Sequence, residues 1–315
     1  MSLAVVFPGQ GSQRVGMGKD WLGHRAAREV FEEADAALQF PLSKLCFEGP
    51  EDELILTTNT QPAVLATSYA IYSAVVDELP PAAFFAGHSL GEYTALVAAG
   101  SLPLSEALAT VRERGRLMQE AVPIGQGAMA AVIGLGIERI NEVCKEAAVD
   151  SNEPLEIANF NSPEQIVVSG GAAAMDAARP GFTAAGAKRV VDLPVSAPFH
   201  CSLMLPAADA LQPLLEELAF ARVNVPVVAN LTAQPYPDET EQYRLLLQAQ
   251  IFNPVRWMQT VEYLASCGVT HLLEVGPGKV LRTLTPKITR EIQAANVDTE
   301  QDLTGLSGWL SEAAA

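Results

Sequence analysis

Short unbroken apolar runs alternate along the chain with stretches in which apolar residues recur every three or four positions, the pattern of an α/β protein. Leu3–Phe7 is an apolar run closed by Pro8-Gly9-Gln10-Gly11, which predicts a strand entering a glycine-rich turn. Helical spacing of Val64, Leu65, Tyr69, Ile71, Tyr72, Val75 and Val76 predicts a helix over 61–79. A buried strand at 82–86 and a helix at 91–99 follow, then a helix over 105–121 with Ser105 as its cap. From 128 the order becomes strand (128–133), helix (137–148), strands (155–160 and 165–169), helix (172–185) and strand (188–193). That βαββαβ order is the ferredoxin-like unit. The first pattern then resumes with a helix after His200, a strand at 225–229, helices around Tyr243 and Trp257, and a strand at His271–Val275. The expected organisation is a small ferredoxin-like domain, 124–196, inserted into a larger α/β domain built from 1–123 and 197–315, with 311–315 as a frayed tail.

Composition narrows the class. With 315 residues, 49% hydrophobic and 18% charged, the chain can bury a full core and is not disordered. No stretch approaches the ~18 consecutive apolar residues of a membrane span, and the amino terminus lacks a basic region ahead of its apolar run. These features predict a cytoplasmic protein. A net charge of −17 argues against non-specific nucleic-acid binding, while leaving room for anionic ligands at a local positive patch. The four cysteines form no Cys-x-x-Cys pair and the four histidines have no metal-ligand spacing, so neither disulfides nor a metal cofactor is expected.

Gly87-His88-Ser89-Leu90-Gly91 stands between a predicted strand and a predicted helix, where a nucleophile elbow would lift the Ser89 hydroxyl clear of the chain. The bland alternative is a tight turn with a capping serine. A serine nucleophile needs a base. His200 lies where the inserted segment rejoins the larger domain, a favourable place for a cleft. His271 opens an apolar strand and reads as a core residue, His24 sits in a polar amphipathic helix facing solvent, and His88 supports the elbow. Asp192 is the nearest acidic group that could orient the imidazole, and a backbone carbonyl could do the same. The backbone N–H of Leu90 and the loop 8–13 are candidates for an oxyanion hole. On the helix 105–121, Arg114 falls within the stripe of Ala107, Val111, Leu117, Met118 and Ala121, whereas Arg112 and Arg116 point to solvent. An inward guanidinium needs a partner, either a carboxylate of the fold or the carboxylate of a substrate.

With these residues identified, the chain resembles the malonyl-CoA:acyl carrier protein transacylase family over nearly its whole length. The resemblance rests on Val6-Phe7-Pro8-Gly9-Gln10-Gly11-Ser12-Gln13, Thr60-Gln61-Pro62-Ala63, Gly87-His88-Ser89-Leu90-Gly91-Glu92-Tyr93 and Arg114-Gly115. It continues through Gly127-Ala128-Met129-Ala130, Asn159-Phe160-Asn161-Ser162-Pro163, His200, Asn253-Pro254-Val255-Arg256-Trp257 and Glu274-Val275-Gly276-Pro277-Gly278. It implies an α/β-hydrolase-like large domain carrying the ferredoxin-like insertion. It further implies Ser89 as nucleophile, His200 as base, Arg114 as clamp for the malonyl carboxylate, and Gln10 with Leu90 as oxyanion hole. Gln250 would orient His200 through its carbonyl, and Met118 and Phe199 would line the acyl pocket. Malonyl-CoA and acyl carrier protein are the implied partners, with no cofactor. Lys188 and Arg189, or Arg112 and Arg116, are candidate carrier contacts beside their ordinary reading as solvated surface. Phe199 departs from the serine that many stand-alone bacterial members carry, and phenylalanine there is seen in acyltransferases of polyketide or multifunctional synthases. Fatty-acid and polyketide roles therefore both remain open, and a serine esterase and a non-catalytic acyl-carrier docking subunit are the rival readings.

Overall fold

All five residues of β1 (Leu3–Phe7) are buried, because the strand runs through the middle of a sheet whose two faces are both covered. Leu3, Val5 and Phe7 enter one apolar cluster, and Ala4 and Val6 enter another on the opposite face. In the computed structural model, which describes residues 2–195 and 197–312, β1 pairs in parallel with β2 (Ala82–Gly87) and with β8 (His271–Val275). The edges of this five-stranded sheet are β7 (Val227–Val228), against β2, and β9 (Gln293–Val297), against β8.

A second, four-stranded sheet is antiparallel throughout. It consists of β3 (Gly127–Ile133), β4 (Leu155–Ser162), β5 (Gln165–Gly171) and β6 (Arg189–Asp192) in the order β4-β5-β3-β6. The helices Ile137–Ser151 and Ala172–Ala184 pack with it around Ile140, Met175 and Phe182. Side-chain alternation divides its strands: Val132, Ile166 and Val168 face that small core, while Met129, Ala131 and Val167 join the large one. This sheet is tied to the rest of the chain by Phe160 N–H to the Val255 carbonyl and Val255 N–H to the Ala158 carbonyl, both 2.9 Å.

The structure revises several sequence expectations. The helix expected over 61–79 is Thr57–Val75, four residues earlier, and it carries Pro62 inside. The helix expected from 105 is Leu104–Glu120, with Pro103 at its N-cap, so Ser105 lies in the first turn and caps nothing. The strand expected over 225–229 shrinks to two residues at a sheet edge. Helix Leu303–Glu312 and strand β9 were not anticipated, while the amphipathic helix expected at His24 is Arg25–Leu38, with His24 as its N-cap residue. Of the expected frayed tail, Ser311 and Glu312 end the last helix and 313–315 lie outside the described residues. Among the described residues, no helix is long and apolar enough to cross a membrane.

Candidate active site

The end of β2 turns sharply into the helix Gly91–Ala98, and Ser89 in that turn adopts a left-handed backbone with φ 52°. Two glycines make the turn possible. A Cβ on Gly87 would lie 1.9 Å from the backbone of Gly91, and one on Gly91 would lie 2.2 Å from the carbonyl of Phe7. Gly9 meets the same limit, since its Cβ would reach 2.4 Å from the His88 carbonyl. The loop after β1 is thereby pressed against the elbow.

His200 brings Nε2 within 2.7 Å of Ser89 Oγ and Nδ1 within 2.9 Å of the Gln250 carbonyl. A carbonyl only accepts, so Nδ1 carries the proton and Nε2 presents its lone pair to the serine hydroxyl. Burial, reinforced by the Arg114 charge, pushes the imidazole down to about 3, so it is neutral near pH 7. Asp192 takes no part: it pairs with Arg179 at 2.7 Å on the surface of the small sheet. His271 is buried in β8 beside Trp309, and His24 pairs with Glu300 at 2.8 Å at the start of the helix Arg25–Leu38. His88 Nε2 donates to Asn161 Oδ1 of β4 at 3.0 Å, which ties the elbow to the small sheet.

Arg114 is buried with 1% exposure, as its helical phase requires. Its Nη1 donates to Gln61 Oε1 at 2.7 Å, and its Nη2 donates to Gln250 Oε1 at 2.8 Å and to Ser89 Oγ at 3.2 Å. The guanidinium also stands 5.7 Å from the Tyr93 ring centre. None of the ion pairs found among the described residues includes Arg114, and its Nε has no partner. A buried cation held by neutral amides can still accept a ligand carboxylate. Ser89, His200 and Arg114 share one cleft with Gln10, Leu90, Met118 and Phe199. Gln10 reaches Thr57 Oγ1 at 3.2 Å, and Met118 receives a contact from Gln61 Nε2 at 3.8 Å. The surface cations are dispersed: Arg116 pairs with Glu113 and Glu120, Arg112 covers Phe40, Lys188 lies 3.9 Å from Glu164, and Arg189 is exposed.

The sequence reading gave no role to three residues that support the site. Gln61, quoted only within a motif, holds Arg114, and Asn230, not singled out, holds the Ser89 backbone N–H at 2.6 Å. Glu92, also quoted only within a motif, lies behind the elbow with Tyr236 on its far side, outside the cleft. Burial pushes the Glu92 carboxyl up to about 7, opposed by hydrogen bonds from Tyr236, Gln250 and Asn230 and by the Arg114 charge. The available signal was a run of polar residues, Asn59 to Gln61 and Glu92, inside otherwise apolar buried helices.

A serine on a strained strand–helix turn, a neutral imidazole and a buried guanidinium within one α/β scaffold are groups that acyl transfer through a serine ester needs. The chain belongs to the acyl transferase domain family, whose sequence model matches residues 4–303. It is 42% identical over 302 residues to the malonyl CoA-acyl carrier protein transacylase of Bacillus subtilis, covering 96% of this chain and 95% of that one. Identity to the enzyme of the same name from Escherichia coli is 47% over 294 residues, covering 93% and 94%. A solved complex of a type II polyketide synthase acyl-carrier protein with its malonyl-transacylase is similar with a TM-score of 0.94 and 44% identity, over 98% of this chain and 100% of that one. The resemblance drawn from the motifs holds.

Proposed function

We propose that the protein transfers the malonyl group of malonyl-CoA to the phosphopantetheine thiol of acyl carrier protein through an ester on Ser89. The observation that carries this reading is the 2.7 Å contact of Ser89 Oγ with His200 Nε2, with an unneutralised Arg114 3.2 Å from the same oxygen. His200 Nε2 takes the hydroxyl proton as Oγ bonds to the thioester carbonyl carbon. The resulting oxyanion is received by the backbone N–H groups of Leu90 and Gln10. Its collapse breaks the carbon–sulfur bond, and the CoA sulfur leaves with the proton from His200. In the second half-reaction His200 takes the proton of the carrier thiol, the sulfur attacks the Ser89 ester, and the alkoxide of Ser89 is reprotonated. Gln250 orients His200, Arg114 holds the malonyl carboxylate, and Met118 and Phe199 bound the acyl group. Every proton in this scheme stays on protein or substrate groups, so the reading includes no cofactor.

The same reading divides the chain into an α/β-hydrolase-like domain, 1–123 with 197–315, and an inserted ferredoxin-like domain, 124–196. It is supported by the βαββαβ order and by a strand order in which the first and third strands are central. Four free thiols fit a reducing compartment, the cytoplasm. Fatty acid synthesis is the favoured setting. Phe199 in the cleft, together with the similarity to a polyketide malonyl-transacylase, supports polyketide synthesis as the second.

Mass spectrometry after mixing with malonyl-CoA and then with carrier protein tests the scheme. We expect a malonyl adduct on the enzyme that moves to the carrier thiol, and no adduct on Ser89→Ala. A malonyl adduct that persists on Ser89→Ala protein removes Ser89 from the reaction.

A further inference from the structure

Two residues of the site have backbones that side chains rarely adopt: Ser89, with φ 52°, and His200, with φ 60°. Such geometry persists only where the surroundings fix it. At Ser89 both flanking peptide groups are held by side chains. Asn230 Oδ1 accepts from the Ser89 N–H at 2.6 Å, and Gln250 Nε2 donates to the Ser89 carbonyl at 3.0 Å. Asn230 also donates through Nδ2 to the Gly87 carbonyl at 2.6 Å, on the strand side of the turn. The two holders come from different parts of the chain, one after β7 and one at the end of the helix Glu241–Gln250.

They converge on one atom. Glu92 Oε2 accepts from Gln250 Nε2 at 2.6 Å and from the Asn230 backbone N–H at 3.1 Å. The other oxygen, Oε1, accepts from Tyr236 Oη. Glu92 is three residues past Ser89, in the first turn of the helix Gly91–Ala98, and is 1% exposed. Gln250 meanwhile supplies its carbonyl to His200 Nδ1 and its Oε1 to Arg114. A displacement of Gln250 therefore moves the serine, the histidine and the guanidinium together.

We infer that Glu92 is a positioning residue for acyl transfer, fixing Ser89 through Asn230 and His200 through Gln250. It touches no reacting atom, and no arrangement of the proposed chemistry uses its proton. What it supplies is a shared acceptor, so an oxygen at the Oε2 position matters more than the negative charge. Glutamine at 92 can keep a carbonyl oxygen there and turn its amide toward Tyr236, whose hydroxyl can accept as well as donate. Alanine removes the acceptor, and aspartate withdraws it by one methylene.

The inference rests on the Ser89 acyl-enzyme reading, so wild-type protein is assayed alongside the variants. The measurement is the single-turnover rate of malonyl adduct formation at saturating malonyl-CoA, with the thermal midpoint of each protein. Glu92→Ala and Glu92→Asp should both lose on the order of 10- to 100-fold in that rate, the scale of a small misplacement of reacting groups. Glu92→Gln should recover it to within about threefold. Tyr236→Phe breaks the bond to the far oxygen only, and should lower the midpoint while its acylation stays within about twofold of wild type. Should Glu92→Ala fail to fold, Glu92→Asp carries the same comparison. Wild-type acylation in Glu92→Asp, or a Tyr236→Phe loss as large as that of the Glu92 variants, overturns the inference. Absence of an adduct on the wild-type protein instead overturns the acyl-enzyme reading.

Discussion

The antiparallel sheet and the elbow end of the parallel sheet solve opposite problems. Along β5, Ile166, Val167 and Val168 alternate between two apolar clusters, and regular pairing satisfies the backbone. Around Ser89 the buried groups are instead Glu92, Arg114, His200, Asn230 and Gln250, none more than 4% exposed. Among the described residues, two of the five non-glycine residues with left-handed backbones, Ser89 and His200, stand in direct contact there. Apolar packing is non-directional and tolerates small shifts, whereas hydrogen bonds in a dry site fix position and orientation. The small sheet stabilises. The elbow aims.

That contrast makes the largest demand on His200. His200→Ala should slow both half-reactions by about 10²- to 10⁴-fold, the usual loss of a general base. Stopped-flow acylation and carrier transfer measure the two halves separately, and wild-type rates would assign the base elsewhere. Burial and the Arg114 charge hold the imidazole well below the ordinary 6.5. With neutral His200 as the proposed base, acylation should stay level as pH falls from 7.5 through 6. A midpoint near 6.5 would show a solvated imidazole. The linked stability has the opposite slope to a gained ion pair. The unfolded chain binds the His200 proton from pH 6.5 downward and the native protein does so only near 3, so this group makes folding less favourable as pH falls between those values.

Arg114 comes next. If it clamps the malonyl carboxylate, Arg114→Ala leaves that carboxylate unpaired in a dry cleft, which costs about 2–5 kcal/mol, or roughly 30- to 5,000-fold in malonyl transfer. Acetyl transfer should hold steady or rise, because acetyl has no carboxylate to lose. Equal losses for malonyl and acetyl, with a lowered thermal midpoint, would move Arg114 to the stabilising side of the comparison.

The legible parts of the molecule were those whose signal is local. The elbow could be read because Gly87 and Gly91 bracket Ser89 within five residues, although the close approach that demands Gly91 comes from Phe7 of β1. Arg114 could be read because helical phase alone turns it inward. The antiparallel sheet could be read because its strands and helices follow one another in βαββαβ order within a short stretch of chain. Glu92, Asn230 and Gln250 could not be joined from sequence, since Asn230 and Gln250 are 138 and 158 residues from Glu92 and meet it only through the fold. Gln250 entered through family resemblance and not from any property of its own. The edge strand β9, Gln-Ala-Ala-Asn-Val, lacked the unbroken apolar run of a central strand because four of its five residues are not buried. The amphipathic helix expected at His24 owes its legibility to the stripe of Ala27, Val30, Phe31, Ala34 and Leu38 in Arg25–Leu38, a local periodicity.

Phe199 sits where the two regions meet, 7% exposed and lining the cleft beside His200. Its ring should crowd the acyl α-carbon and disfavour methylmalonyl. Phe199→Ser should shift the methylmalonyl-to-malonyl ratio toward the branched substrate by the ~1–3 kcal/mol that a methyl group is worth in an apolar pocket. Competition between the two CoA esters reads the ratio directly. An unchanged ratio would place the ring outside the acyl pocket.

The smallest expected effect is the most direct test of the contrast. Ile166 is fully buried in β5, opposite Val132 of β3, and faces the helices of the small sheet and not the cleft. Ile166→Val removes one methylene from that core and should cost about 0.5–1.5 kcal/mol of stability, read as a lower denaturant midpoint at unchanged slope. The groups that aim Ser89 and His200 are hydrogen-bonded to one another and not to this core, so malonyl adduct formation should stay within about twofold of wild type. Apolar packing can absorb the lost volume by small shifts of its neighbours, at an energetic cost but without turning a donor away from its acceptor. A large fall in acylation with only a modest loss of stability would mean that the small sheet transmits its packing to the elbow, through the His88–Asn161 contact or the Val255 bridge, and that the two regions are not separable.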